Sequence, residues 1–94
     1  MDYNKSSQIL KALAHPLRLK MVEMLMDDEC CVTDVTNALG ISQSTASQNL
    51  GILKNAGIVY PQKYGTKTCY IVDNDTAKEI INLLNKNHKH REAE

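Results

Sequence analysis

The stretch Val35-Thr36-Asn37-Ala38-Leu39-Gly40-Ile41-Ser42-Gln43-Ser44-Thr45-Ala46-Ser47-Gln48-Asn49-Leu50 decides the fold. A helix that ends at Leu39 finds in Gly40 a residue free to take the left-handed conformation of a tight helix end. Ser42 then caps a second helix. Val35 and Leu39 on the first helix meet Ala46 and Leu50 on the second, with Ile41 plugging the turn, and the small Ala46 lets the helices cross closely. Such a pair, joined across a glycine turn, is a helix-turn-helix. The outward face of the second helix carries Gln43, Ser44, Thr45, Ser47, Gln48 and Asn49, all uncharged. Ser, Thr and Asn are weak helix formers, and a solvated face ordinarily holds Glu, Lys and Arg. Base edges in a major groove give a reason for them: Gln and Asn pair bidentately with adenine, and Ser and Thr bond to bases or phosphates. The competing reading is a merely polar helix.

Upstream, Ser6 or Ser7 is expected to cap a first helix with Ile9, Leu10 and Leu13 as its stripe. Pro16 disfavours helix at His15 and suits the first position of a second helix bearing Leu17, Met21, Val22, Leu25 and Met26. Asp27-Asp28-Glu29 reads as a turn, and the third helix spans about Val32 to Leu39 with Thr33 or Asp34 near its cap. Downstream, the recognition helix reaches about Asn55. Ile58-Val59-Tyr60 and Tyr70-Ile71-Val72 then form a hairpin around Gly65. Lys63 and Lys67 flank that turn, and with Lys54 they are candidates for phosphate contact, which would position the domain while the helix selects sequence. Lysines on a solvated hairpin also blunt an edge strand. Thr76 and Glu79 have the spacing of a capping box for a last helix, striped by Ala77, Ile80, Ile81, Leu83 and Leu84. Residues 85–94 read as a polar, fraying tail. The expected fold is α+β, mostly helical: one winged helix-turn-helix domain over residues 1–94 with a single β-hairpin wing.

The chain has 94 residues, so one domain, and a formal net charge of zero. The charges are segregated, however: no Asp or Glu lies between Val35 and Val72, where Lys54, Lys63 and Lys67 stand. A local positive field of this kind steers polyanions although the whole-chain sum hides it. Three cysteines, Cys30, Cys31 and Cys69, make no even disulfide framework. No secretory signal opens the chain and no apolar run spans a bilayer, so a cytoplasmic place, no membrane partner and reduced thiols are expected. There is no phosphate loop and no nucleophile–base pair: His15 sits at a helix junction, and His88 and His90 lie in the tail. An enzyme is therefore not expected. A winged helix that binds protein instead of DNA stays open, since fold alone does not dictate function.

The run Ala12-Leu13-Ala14-His15-Pro16-Leu17-Arg18-Leu19 resembles the opening signature of the ArsR/SmtB repressors, and Ile41 to Leu50 resembles their recognition helix. Leu53 to Val59 and Gly65 to Val72 resemble the segments that follow, so the likeness covers roughly residues 8 to 84 in order and at matching spacing. It implies a homodimer built on the first and last helices, with Ile9, Leu10, Leu13, Ile80, Leu83 and Leu84 at the interface. It also implies repression from an inverted-repeat operator in double-stranded DNA and release by an inducer. Gln48 and Asn49 stand where the family commonly has His, a departure that bears on base preference. Cys31-Val32-Thr33-Asp34 resembles the start of the family's thiolate metal site, with Thr33 in place of the second Cys. Cys30 and Cys31 are thus the candidates for sensing a thiophilic inorganic inducer such as arsenite, Cd or Zn. The set is short of the soft ligands such ions take. Inert packing or thiol oxidation are the other readings of the pair. Cys69 is expected to be a small strand residue remote from both, and Asp28, Glu29 and Asp34 to raise a nearby thiol's pKa.

Overall fold

A computed structural model describes residues 1–93, and the side chains of residues 1–86. The elements run α1 (Tyr3–Leu13), α2 (Pro16–Asp27), β1 (Cys30–Cys31), α3 (Val32–Leu39), α4 (Gln43–Asn55), β2 (Val59–Tyr64), β3 (Lys67–Val72) and α5 (Asp75–Ala93).

The helix ends show how local chemistry sets these bounds. Asp2 accepts a hydrogen bond from the Lys5 backbone N–H at 3.2 Å, so α1 starts a turn before the serines expected to cap it. His15 closes the next gap: its Nδ1 accepts from the Leu17 N–H at 3.1 Å, ahead of Pro16 at the first position of α2. Asp34 caps α3 from within, its carboxylate accepting from the Cys31 N–H at 3.0 Å. Gly40 ends α3 with φ 64°, and Ser42 opens α4 by accepting from the Thr45 N–H at 3.1 Å. The last helix departs from the expected Thr76–Glu79 capping box. Asn74 caps it, accepting from the Ala77 N–H at 2.9 Å and donating to the Gly57 carbonyl at 3.0 Å. An Asn that satisfies both the helix start and a neighbouring loop outcompetes a Thr already inside the helix. α5 continues to Ala93, through the region expected to fray. His88 and His90 lie outside the described side chains.

The core forms where the helix-turn-helix packs on its scaffold. Met21, Val22, Val35, Ala46, Leu50, Leu53, Ile58 and Val59 have no exposed surface, and Leu39 and Ile41 pack against them. Leu13 is also in this core, at 4% exposure, so it is consumed within the protomer and unavailable as the interface residue it was expected to be.

The sheet is larger than the expected hairpin. β2 and β3 pair antiparallel from Val59↔Val72 to Tyr64↔Lys67, leaving Gly65-Thr66 as the turn. β1 adds a third antiparallel strand on the other side of β3, in the order β1-β3-β2. A two-residue strand carries no periodic signal, which is why the sequence reads there only as a turn and a helix start. Pro61 falls on β2, an edge strand, where a missing N–H is tolerated.

Gly40 and Gly51 should respond oppositely to alanine. At each, an added Cβ meets nothing within 4 Å, so only backbone preference decides. Gly40→Ala forces an L-residue into the left-handed region and should cost about 1–2 kcal/mol. Gly51→Ala, inside α4, should stabilise by about 0.5–1 kcal/mol. Urea unfolding of both variants at one protein concentration measures the signs, and a stabilising Gly40→Ala would refute the turn geometry.

Candidate nucleic-acid interface

The candidate recognition surface is the N-terminal half of α4. Gln43, Ser44, Ser47 and Gln48 are exposed there and Thr45 is half-buried. Ser42 is exposed, but its hydroxyl is engaged: it caps the helix and donates to the Thr45 hydroxyl at 3.0 Å. Asn49 departs from the face expected for it. It is 8% exposed, its Oδ1 accepts from Arg18 Nη1 at 3.1 Å, and its Nδ2 donates to the Thr45 carbonyl at 2.8 Å. With both ends of the amide taken inside the protein, Asn49 supports the reading face instead of belonging to it. The exposed candidates for base contact narrow to Gln43, Ser44, Ser47 and Gln48.

Lys54, Lys63 and Lys67 are all exposed. Register separates the two wing lysines. Lys63 lies opposite Thr68 and Lys67 opposite Tyr64, so they project from opposite faces of the ribbon. Lys67 lines a cleft of about 180 Å³ together with Gln43, Cys31 and Thr66, which joins the wing tip to the start of the recognition helix. Tyr64 donates its hydroxyl to Glu29 at 3.0 Å, tying the wing to the segment before β1. That bond raises the Tyr64 pKa, because the phenol must give up its donor role to ionise.

The same alternation sorts the cysteines. Cys30 pairs with Tyr70, and both pack against the core. Cys31 lies directly opposite Cys69 on the other face, and the two are joined in a disulfide. One expectation is corrected here: Cys69 is not remote from the pair, because the register sets it directly against Cys31. Cys30 and Cys31 also diverge, because adjacent strand residues point to opposite faces. Cys30 alone is a free thiol; its Sγ donates to the Asp28 carbonyl at 3.4 Å. Burial pushes its pKa up, and the carboxylates of Asp34, Asp28 and Glu29 push it further. Among the described residues, no group of three or more His, Cys, Asp or Glu is placed to hold a metal ion. On the helices expected to form an interface, Leu10, Leu83 and Leu84 are exposed at 57%, 58% and 48%, with Ile9 and Ile80 half-buried.

Two residues of this region escape the sequence reading. Arg18 sits inside a recognisable motif, but its contacts with α4 are long-range. Cys69 would have been found only by writing out the register of a strand too short to predict.

Comparison with known proteins places this geometry. Residues 15–60 match the family described as bacterial regulatory protein, arsR family. An HTH-type transcriptional regulator of Methanocaldococcus jannaschii is 39% identical over 85 residues, which is 89% of this chain and 96% of that protein. The biofilm growth-associated repressor of Xylella fastidiosa is 35% identical over 81 residues, covering 86% of this chain and 71% of its own length. Among solved structures, HlyU from Vibrio cholerae superposes with a TM-score of 0.84 at 34% identity, covering 92% of this chain and 96% of that one. The homodimeric winged helix-turn-helix DNA-binding domain of a possible ArsR-family regulator from Mycobacterium bovis gives 0.87 at 28% identity, covering 98% and 86%. No described helix is long and apolar enough to cross a membrane. Helix-turn-helix, wing and overall sequence thus agree, and the chain belongs to the ArsR family of winged helix-turn-helix transcriptional regulators.

Proposed function

We propose that this regulator is a cytoplasmic homodimeric repressor that grips an inverted-repeat operator, and that the Cys31–Cys69 pair is its sensory element. The observation that carries the DNA reading is the exposed, uncharged face of Gln43, Ser44, Ser47 and Gln48 beside a lysine-bearing wing. An uncharged amide and hydroxyl surface next to cations suits base edges flanked by phosphates. A second copy would cover Leu10, Leu83 and Leu84, and the Mycobacterium bovis neighbour is described as homodimeric. Two-fold symmetry would then set two recognition helices into successive major grooves. Repression is favoured by the Xylella fastidiosa relative, whereas a Vibrio cholerae relative is described as an activator.

Gln43→Ala and Ser47→Ala should each lower the preference for operator over scrambled duplex, by about 1–3 kcal/mol where a bidentate contact is lost. The fold should stay intact by circular dichroism. Lys63→Ala and Lys67→Ala should weaken all duplexes alike and reduce the salt slope by about one. Fluorescence anisotropy across a salt series separates the two classes. An unchanged base preference in both helix variants would remove α4 as the reader.

The disulfide supports a thiol-controlled wing. Cys31 immediately precedes α3 and Cys69 lies in the wing, so the bond ties the helix-turn-helix to its wing. Forming it removes two protons and two electrons from the thiols, which a peroxide takes up as water. A fixed wing meets DNA with less to order, so the disulfide form should bind operator about three- to tenfold more tightly than the dithiol form. Cys31→Ser should erase the difference while retaining binding. Equal affinity of both forms would return the cysteines to a packing role. Release of the reduced protein by arsenite, Cd(II) or Zn(II), lost in Cys31→Ser, would make a thiophilic ion the signal instead.

A further inference from the structure

We propose that Arg18 is a positioning residue that sets the rotation of the recognition helix by clamping it to α1. Its guanidinium makes two bonds in different directions. Nε donates to the Ala12 carbonyl at 2.6 Å, and Nη1 donates to Asn49 Oδ1 at 3.1 Å. The Ala12 carbonyl lies in the last turn of α1, where backbone acceptors run out of helical donors. The residue four positions on is Pro16, which has no N–H to offer. Arg18, at the first turn of α2, supplies the missing donor from its side chain.

Asn49 is the other end of the clamp. It is nearly buried, and its amide nitrogen is held by the Thr45 carbonyl one turn back along α4. Fixing the Thr45–Asn49 stripe fixes the angle at which Gln43, Ser44, Ser47 and Gln48 leave the helix, since all share one rigid element. A planar fork spans two separated acceptors in a set geometry, whereas a lysine ammonium is a point charge on a flexible stem. The clamp joins the helix that carries Leu10, half of the proposed dimer face, to the helix that faces DNA. It rests on the DNA-binding reading above and adds to it a residue that touches no base.

The test uses a duplex selected by the wild-type protein from a random pool and a scrambled duplex of equal length. Arg18→Lys, Asn49→Ala and the double variant are compared with wild type by anisotropy and thermal unfolding. Each single variant should lower the selected-to-scrambled affinity ratio about tenfold, with scrambled affinity held within about twofold. The double variant should lose no more than either single one, because the two residues act as a unit. A lowered melting temperature with the ratio preserved would mean a purely structural role and overturn the clamp, as would losses that add. A wild-type protein that selects no duplex would overturn the DNA reading itself, and this proposal with it.

Discussion

The close crossing of α3 and α4 is the contact on which the remaining structure depends. Val35 and Ala46 are both wholly buried in the core there, and Leu50 and Leu53 continue the same buried stripe of α4. A side chain larger than Ala at 46 would push α4 outward, and overpacking of this kind ordinarily costs about 1–3 kcal/mol. The inward stripe of α4 is thereby spent on packing. Its outward stripe is left to Gln43, Ser44, Ser47 and Gln48, which are exposed and have no side-chain hydrogen-bond partner among the described residues. Burial on one side of a short helix is what makes the other side available as a reading surface.

A second constraint is the parity of the sheet. Val59, Val72, Tyr70 and Cys30 fall on the core face, while Cys31, Cys69 and Lys67 fall on the other. This single alternation explains why Cys30 is packed against the core and why Cys31 finds Cys69. It also explains why a two-cysteine reading of Cys30 and Cys31 fails as geometry. Neighbours in sequence are on opposite sides of a strand, and the sulfur within reach of Cys31 lies on another element.

Helix order, the turn at Gly40, the cap at Ser42 and the wing with Gly65 at its turn were all legible in the sequence, because each rests on residues within a few positions of one another. The misreadings arise where distance or competition decides. Asp2 and Asn74 replace the expected caps because more than one residue could do the work, and only the packed chain chooses. Asn49 looks like a base reader by spacing, yet it faces Arg18, thirty-one residues away in sequence. Leu13 looks like an interface residue by stripe, yet the protomer's own core takes it. Short-range chemistry is written in the sequence; the assignment of an amphipathic residue to inside or outside needs the partners.

The zero net charge, finally, is compatible with a polyanion partner because the fold keeps the signs apart. Asp73, Asp75 and Glu79 follow β3 at the end of the ribbon where Val59 pairs with Val72, away from the turn at Gly65. Lys63 and Lys67 stand beside that turn, and Lys54 lies in the last turn of α4. Glu29, which the structure brings to the wing, accepts the Tyr64 hydroxyl, so its charge is met by a donor from the wing itself. Within a Debye length of about 8 Å at physiological salt, a phosphate near the wing tip senses its local lysines more than the chain's sum. On the proposed reading, so small a patch positions the domain and leaves recognition to the shape and hydrogen bonds of α4. That reliance on α4 is the reason its rotational setting matters.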